Sequence, residues 1–446
     1  MDKISELPDE LLLKILSIVP TKVAVSTSIL SKRWRFLWMW LPELEYSDSQ
    51  GKSLLALRDF INKSLPLHRS PVIERLCLDL WEESHDSKVN PEDIKLWVET
   101  AVSRHVRELE VSYLSESNAN MFPSGFFTCE SLVVLKLRYM TLMDVPSTGC
   151  CCLPSLKTLQ LESLTYVGVD SLQNLLSMCH VLEDLEVRFI QDEYPQMFTV
   201  IFPLLRRLTL SLPDCEWDLD EYEIDTPFLE YLKLEDWNES LWLFKKNMPS
   251  LREAYVHVES YALKSVVRSI TSVKRLTVCS EVEEDQDVYG FVFDQLEHLE
   301  LCVCKDDSLN LLVQFLKDSS NLRALDISIL DCHGDKKTDD KFAWYKLSCV
   351  PECVLPSLQV FNWSRYIGRP RDRDIAFYVL RNAPNLRTAT FRFEQGVPNP
   401  KTLKMELTLF PPASSTSHLE QARGSNATTD KLPKLAEPSG GDKEMS

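Results

Sequence analysis

Glycine is scarce in this chain, 11 of 446 residues. None of the eleven builds a G-x-G-x-x-G or a P-loop, so a Gly-rich cradle for a nucleotide's phosphates is excluded. A His-Glu-x-x-His pair is also missing. The thirteen cysteines contain no C-x-x-C. Cys150-Cys151-Cys152, Cys302-x-Cys304 and Cys349-x-x-x-Cys353 lack the repeated spacing that zinc ligands need, and they read as small buried hydrophobes and loop thiols. No sequence context marks one cysteine as activated. The acidic stretch Asp214 to Asp225 has no glycine for a calcium loop, and it reads as an amphipathic surface insertion. No metal and no cofactor are expected.

Net positive charge is missing too. Lys and Arg number 49 against 67 Asp and Glu, a net charge of −18. That balance argues against non-specific binding of nucleic acid and against docking on an anionic membrane. No apolar stretch is long enough to span a bilayer. The N-terminal apolar run from Leu11 to Val19 is broken by Lys14, follows acidic residues and stops at Pro20, unlike a signal peptide. A cytoplasmic or nuclear protein with reduced cysteines is the expectation.

What the chain does have is a spacing. An apolar residue followed three and five positions later by two more recurs at Leu132-Leu135-Leu137, Leu156-Leu159-Leu161, Leu182-Leu185-Val187, Leu205-Leu208-Leu210, Leu229-Leu232-Leu234, Leu296-Leu299-Leu301 and Leu322-Leu325-Ile327. Looser copies start at Ile73, Val106, Leu251, Val273, Leu358 and Leu386. Between residues 132 and 322 the starts lie 22 to 26 residues apart. A fixed period in that range means stacked units that bury their apolar faces only against each other. Each repeat opens with a strand, and Ser171 to His180, Ser260 to Ile270 and Ser308 to Lys317 carry helical spacing between strands. Strand plus helix at this period is the leucine-rich-repeat arrangement, with a parallel sheet inside and helices outside. Such a chain offers an extended binding surface rather than a catalytic pocket.

Residues 1 to 46 differ from the rest. Pro8 suits the start of a helix, Asp9 and Glu10 suit its positive end, and Leu11, Leu12, Ile15, Leu16 and Val19 follow at helical spacing. Thr21 can cap a second helix and Ser31 a third through Trp34, Leu37, Trp38 and Leu41. So small a unit cannot hide that many large apolar groups by itself, so part of the surface needs a partner. The ordered set Leu7-Pro8-Asp9-Glu10-Leu11-Leu12, Ile15-Leu16, Pro20-Thr21-Lys22, Leu30-Ser31-Lys32-Arg33-Trp34-Arg35 and Leu37-Trp38 closely resembles the F-box of plant F-box proteins. The resemblance implies docking on a Skp-type adaptor and, through it, on a cullin–RING ubiquitin ligase. Carried over by position, Leu7, Pro8, Leu11, Leu12, Ile15, Leu16, Leu30, Lys32 and Trp34 would form the adaptor-facing edge.

Alternation along each strand puts the positions four and six after a repeat start on the concave, solvent side. The basic members of that strip are Lys136, Arg138, Arg188, Lys233 and Arg392. The acidic ones are Asp79, Glu110, Glu162, Glu186, Glu235, Glu300 and Asp326. Scattered charge of both signs is no polyphosphate site. With Tyr255, His257, Asn362 and Trp363 it suits protein recognition, so Lys136, Arg138, Arg188, Lys233, Tyr255, His257 and Asn362 are the candidate target contacts.

From Leu355 the pattern changes. Leu355-Pro356-Ser357-Leu358, Phe361-Asn362-Trp363, Tyr366-x-Gly368, Ile375 to Leu380, Asn382 to Leu386 and the strand Thr388 to Phe393 resemble the FBD domain, with Leu403 to Leu419 available for its last helix and strand. The expected organisation is an F-box at 1–46, a repeat solenoid at 47–354, an FBD domain at 355–420 and a disordered, Ser/Gly/Pro-rich tail at 421–446. The resemblance implies a non-catalytic substrate receptor of a Skp–cullin–F-box ligase that holds an unidentified protein target. Two rival readings are a hormone-like small-molecule sensor in the repeat trough and an F-box scaffold outside any ligase.

Overall fold

The structure is a computed structural model. It describes residues 4, 7–47, 54–80, 89–113, 121–142, 145–146, 152–166, 170–189, 197–213, 221–236, 238, 240–280, 292–303, 308–328, 357–394, 403 and 418–420.

The strands run in chain order as β1 (Glu43–Ser47), β2 (Arg75–Leu80), β3 (Glu108–Tyr113), β4 (Val134–Arg138), β5 (Thr141–Leu142), β6 (Thr158–Glu162) and β7 (Thr165–Tyr166). Then come β8 (Asp184–Arg188), β9 (Met197–Ile201), β10 (Arg207–Ser211), β11 (Glu221–Asp225), β12 (Tyr231–Asp236), β13 (Leu241–Phe244) and β14 (Glu253–Val258). The last are β15 (Arg275–Cys279), β16 (His298–Cys302), β17 (Ala324–Ser328), β18 (Val360–Tyr366), β19 (Thr388–Phe393) and β20 (His418–Glu420). Eight helices accompany them among the described residues: α1 (Asp9–Leu16), α2 (Thr21–Ser26), α3 (Leu54–Ser64), α4 (Pro91–Ser103), α5 (Ser171–Ser177), α6 (Ser260–Ser269), α7 (Ser308–Asp318) and α8 (Pro370–Asn382).

One strand per repeat joins a single 15-stranded sheet in the order β1-β2-β3-β4-β6-β8-β10-β12-β14-β15-β16-β17-β18-β19-β20, each pairing parallel to the next. The register follows from the repeat. Leu135, Leu159, Leu185, Leu208 and Leu232 face one another from strand to strand, and all five are fully buried. Each such leucine contributes about 1.5–3 kcal/mol by leaving water. A second ladder, of backbone, runs along the strand entrances. Glu183 O accepts from both Arg206 N and Arg207 N, Arg206 O from Glu230 N and Tyr231 N, and so on through Arg323 O to Gln359 N and Val360 N, then Gln359 O to Arg387 N and Thr388 N. The segment from 357 to 394 therefore continues the solenoid's sheet and spine without a break, although its sequence pattern departs from that of the earlier coils.

The convex side is more varied than the expected ring of helices. Between α5 and α6 it is a three-stranded parallel sheet, in the order β13-β11-β9. Tyr222 and Ile224 of β11 are buried, and Tyr222 stacks on Trp242 at 4.7 Å. The acidic stretch read as a surface insertion is thus, in its described part, a convex strand whose alternate residues enter the core. Both edges of this small sheet are blocked, as unpaired edges must be. Gln173 Oε1 of α5 accepts from Thr199 N at 3.0 Å, and Ser265 Oγ of α6 donates to Trp242 O.

Towards the C-terminus β20 pairs with β19, Thr388 opposite His418. Gly368 has φ +78°, and a Cβ there would fall 2.6 Å from Leu403 Cδ2, so only glycine lets buried Leu403 close over this turn. The expected disordered tail and most of Leu403 to Leu419 lie outside the described residues.

Candidate functional site: an apolar edge and a charged concave strip

Pro8 and Pro20 each precede a helix, α1 and α2, where a missing N–H costs nothing. After Ser26 the chain tightens into a 3-10 turn at Thr27–Ile29, and the expected third helix is a 3-10 turn at Trp34–Trp40. Arg33 fastens this turn to the start of α1, donating to Asp9 Oδ1 from Nε (2.9 Å) and Nη2 (2.6 Å) and to Leu7 O. Leu12 and Leu16 of α1 pack into a core that also holds Trp34, Leu37 and Trp38.

Helical geometry then dictates the outside. Leu11 and Ile15, one turn apart, are each 43% exposed. Ile29 and Leu30 stand at 88% and 65%. Among the described residues eighteen large apolar side chains are exposed, and nine of them lie between Ile4 and Trp40. An apolar surface so concentrated marks an interaction site rather than scattered exposure.

The structure divides the nine residues expected at this edge. Pro8, Leu11, Ile15, Leu30 and Lys32 are exposed and Leu7 is half-buried. Leu12, Leu16 and Trp34 are corrected to core residues, because a helix packed on a neighbour turns alternate apolar pairs inward. The sequence reading missed Ile18, Val23, Ile29, Phe36 and Trp40, all exposed. Their apolar identity at helical spacing next to the core positions was the available signal.

The concave strip is a chain of ion pairs in its first half. Glu110 receives Arg75 Nη2 at 3.2 Å and Arg138 Nη1 at 2.9 Å, and Lys136 reaches Glu108 at 3.4 Å. Arg138 also meets Glu162 at 3.1 Å. Further along, Arg188 pairs with Glu186 at 2.6 Å and Lys233 with Glu235 at 3.0 Å. Aromatic faces join from β12 onward. Arg207 lies 4.8 Å over Tyr231 and Lys233 4.9 Å over Tyr255, arrangements that hold the cations without burying them. Burial and the nearby Glu253 push the Tyr231 hydroxyl pKa up. Asp326 accepts from His298 Nε2 at 2.8 Å and Asn362 Nδ2 at 2.7 Å.

Of the seven candidate target contacts, Lys136, Arg138, Arg188, Lys233, Tyr255 and Asn362 lie on this face at least partly open to solvent. His257 is corrected: it is 1% exposed, stacked on Tyr255 at 4.2 Å. Trp363 is likewise a core residue, as its place five after Leu358 requires. Arg75, Glu108, Arg207 and Tyr231 were missed, though the same alternation taken one step back along each strand reaches them.

Two buried cysteines, Cys77 and Cys179, are held as thiols. Burial, with Glu110 adding to it, pushes the Cys77 thiol up to about 12, and burial does the same to Cys179. Neither is a thiolate near neutral pH. Among the described residues no group of three His, Cys, Asp or Glu could hold a metal ion, and no helix is long and apolar enough to cross a membrane.

A small helical module with an apolar edge, fused to a stack of parallel-strand coils, defines an F-box/leucine-rich-repeat protein. The F-box domain model matches residues 4–46, and the At1g61320/AtMIF1 LRR domain model matches residues 65–400. An Arabidopsis thaliana protein, FBD-associated F-box protein At5g38590, is 54% identical over 92% of this chain and 99% of its own length. Another, FBD-associated F-box protein At4g10400, is 49% identical over 94% and 99%. The chain belongs to the plant F-box/FBD/leucine-rich-repeat family.

Proposed function

We propose that this chain is a non-catalytic substrate receptor of a Skp–cullin–F-box ubiquitin ligase, working in the cytoplasm or nucleus. F-box domains of this class generally bind Skp-type adaptors. The observation that carries the reading is the clustering of exposed apolar side chains on the F-box, with Leu11, Ile15 and Leu30 free for a partner. The adaptor takes that edge, and the concave strip with the FBD segment takes a protein target. Tyr255 and Asn362, partly open in the half of the strip where aromatic and amide groups join the charges, are the target contacts this reading favours, together with exposed Arg188 on β8. Receptors of this kind act by proximity. Tethering raises the effective concentration of target lysines near the ubiquitin-loaded enzyme, with no bond-making step performed by the receptor.

The test is co-purification with a Skp-type adaptor. Leu11→Asp combined with Ile15→Asp is expected to abolish it while leaving the solenoid's circular dichroism and melting intact. Unchanged adaptor binding by that folded double variant would overturn the assignment.

A further inference from the structure

The F-box is not hung on the solenoid by a linker. β1 follows Trp40 by two residues and pairs along its whole length with β2. Met39 O accepts from Arg69 N at 2.7 Å, and Pro42 O accepts from Glu74 N at 2.7 Å. Thr21 Oγ1, buried in α2, accepts from Glu45 N at 2.9 Å. At the centre of these ties is His68, only 4% exposed. Its Nε2 meets Leu41 O, on the F-box side, at 2.7 Å. Its Nδ1 meets Arg104 Nη1, at the end of α4 on the solenoid side, at 3.1 Å, and the same nitrogen donates to His68 O at 2.9 Å.

The roles of both ring nitrogens are forced. A carbonyl can only accept and a guanidinium can only donate, so Nε2 carries the proton and Nδ1 receives one from Arg104. A neutral imidazole is the only ionisation state that satisfies both sides. Protonation would set a second N–H against Arg104.

We propose that His68, bridged to Arg104, is a positioning residue that fixes the angle between the F-box and the repeat stack, so that the apolar edge and the concave strip keep one separation. The purpose of that fixed angle rests on the receptor reading: a rigid spacer presents a bound target at one distance and so selects which of its lysines are reached. The angle itself does not depend on that reading.

The test uses the full chain, with nitroxide labels on unnatural amino acids at the exposed positions Lys22 and Lys157. Wild type is expected to give one narrow inter-label distance distribution. In His68→Ala its width roughly doubles, as loss of a buried tie frees the two sides to move. His68→Gln, whose amide can still donate to Leu41 O, restores part of the narrowing. Arg104→Met, which keeps the aliphatic stem, broadens it. A folded His68→Ala or Arg104→Met chain with the wild-type width overturns the proposal. Should both variants unfold, wild type alone decides it. With selective 15N labelling of histidine, His68 must show the Nε2–H tautomer and no titration between pH 5.5 and 8, whereas ordinary titration near pH 6.5 overturns it. Loss of adaptor binding with an unchanged distance would count against the receptor reading and not against this joint.

Discussion

The first forty residues and the repeat stack spend their apolar side chains in opposite ways. The F-box keeps a small core of Leu12, Leu16 and Trp34 and leaves nine large apolar groups in the open, as many as the other described residues expose together. The stack buries its leucines from strand to strand and shows a concave face of paired charges. The difference is one of surface to volume. A module of this size cannot enclose its own apolar residues, whereas each added coil closes over the last one. An exposed apolar edge suits an apolar partner surface, and a strip of mixed charge suits a polar one.

The sharpest way to break this comparison is to place one charge on each side of α1. Leu12→Asp, inside, should destroy the F-box fold, because an unpaired carboxylate has no place in that core. Leu11→Asp, its neighbour outside, should leave melting within a degree or two and cost only adaptor capture. Equal loss of melting cooperativity in the two variants would mean that the edge is not a free surface.

In the stack, Leu232→Ala should cost about 2–5 kcal/mol in urea unfolding. That residue sits between two coils, and neither neighbour can collapse into the gap without breaking the register of its strand. A cost under about 1 kcal/mol would show that the coils relax independently.

The joint between the two regions has a pH signature. Burial lowers the His68 pKa from 6.5 to about 4, the Leu41 carbonyl opposes the shift and Arg104 adds to it. The unfolded chain therefore takes up a proton as pH falls through about 6.5, while the folded chain resists until about 4. Stability from this group is complete above about pH 6.5 and lost between there and pH 4, on the order of 3 kcal/mol in total. The part of the acid slope that disappears in His68→Gln measures it, and identical slopes in the two chains would contradict the buried neutral imidazole.

The smallest effect belongs to the concave strip. A double-mutant cycle on Arg138 and Glu110 should give a coupling of about 0.2–1 kcal/mol, since Arg138 remains partly solvated. A larger value would mean that the strip is a structural element and not a recognition face.

Much of this architecture could be read from residue spacing. The core ladder follows directly from apolar residues three and five after each repeat start, because strand alternation leaves them no other face. The edge was legible only as a group. Leu11 and Leu12 are the same residue type side by side, and which one faces inward is decided by Trp34 and Trp38, twenty-odd residues away. His257 illustrates the opposite failure: alternation places it on the concave side, yet the coil's neighbours cover it. The convex sheet of β9, β11 and β13 was hidden by the acidity of its central strand, Glu221–Asp225. The joint at His68 was invisible, since nothing local signals that a carbonyl at Leu41 and a guanidinium at Arg104 will meet there.

β1 belongs to the F-box by sequence and to the sheet by hydrogen bonding. Removing residues 1–46 to make an adaptor-blind version would therefore strip the outermost strand from the stack and leave the amides and carbonyls of Arg75–Leu80 as a raw, sticky margin. Such a truncation would report aggregation, not loss of recruitment. Point changes on the outer side of α1 are the cleaner knife.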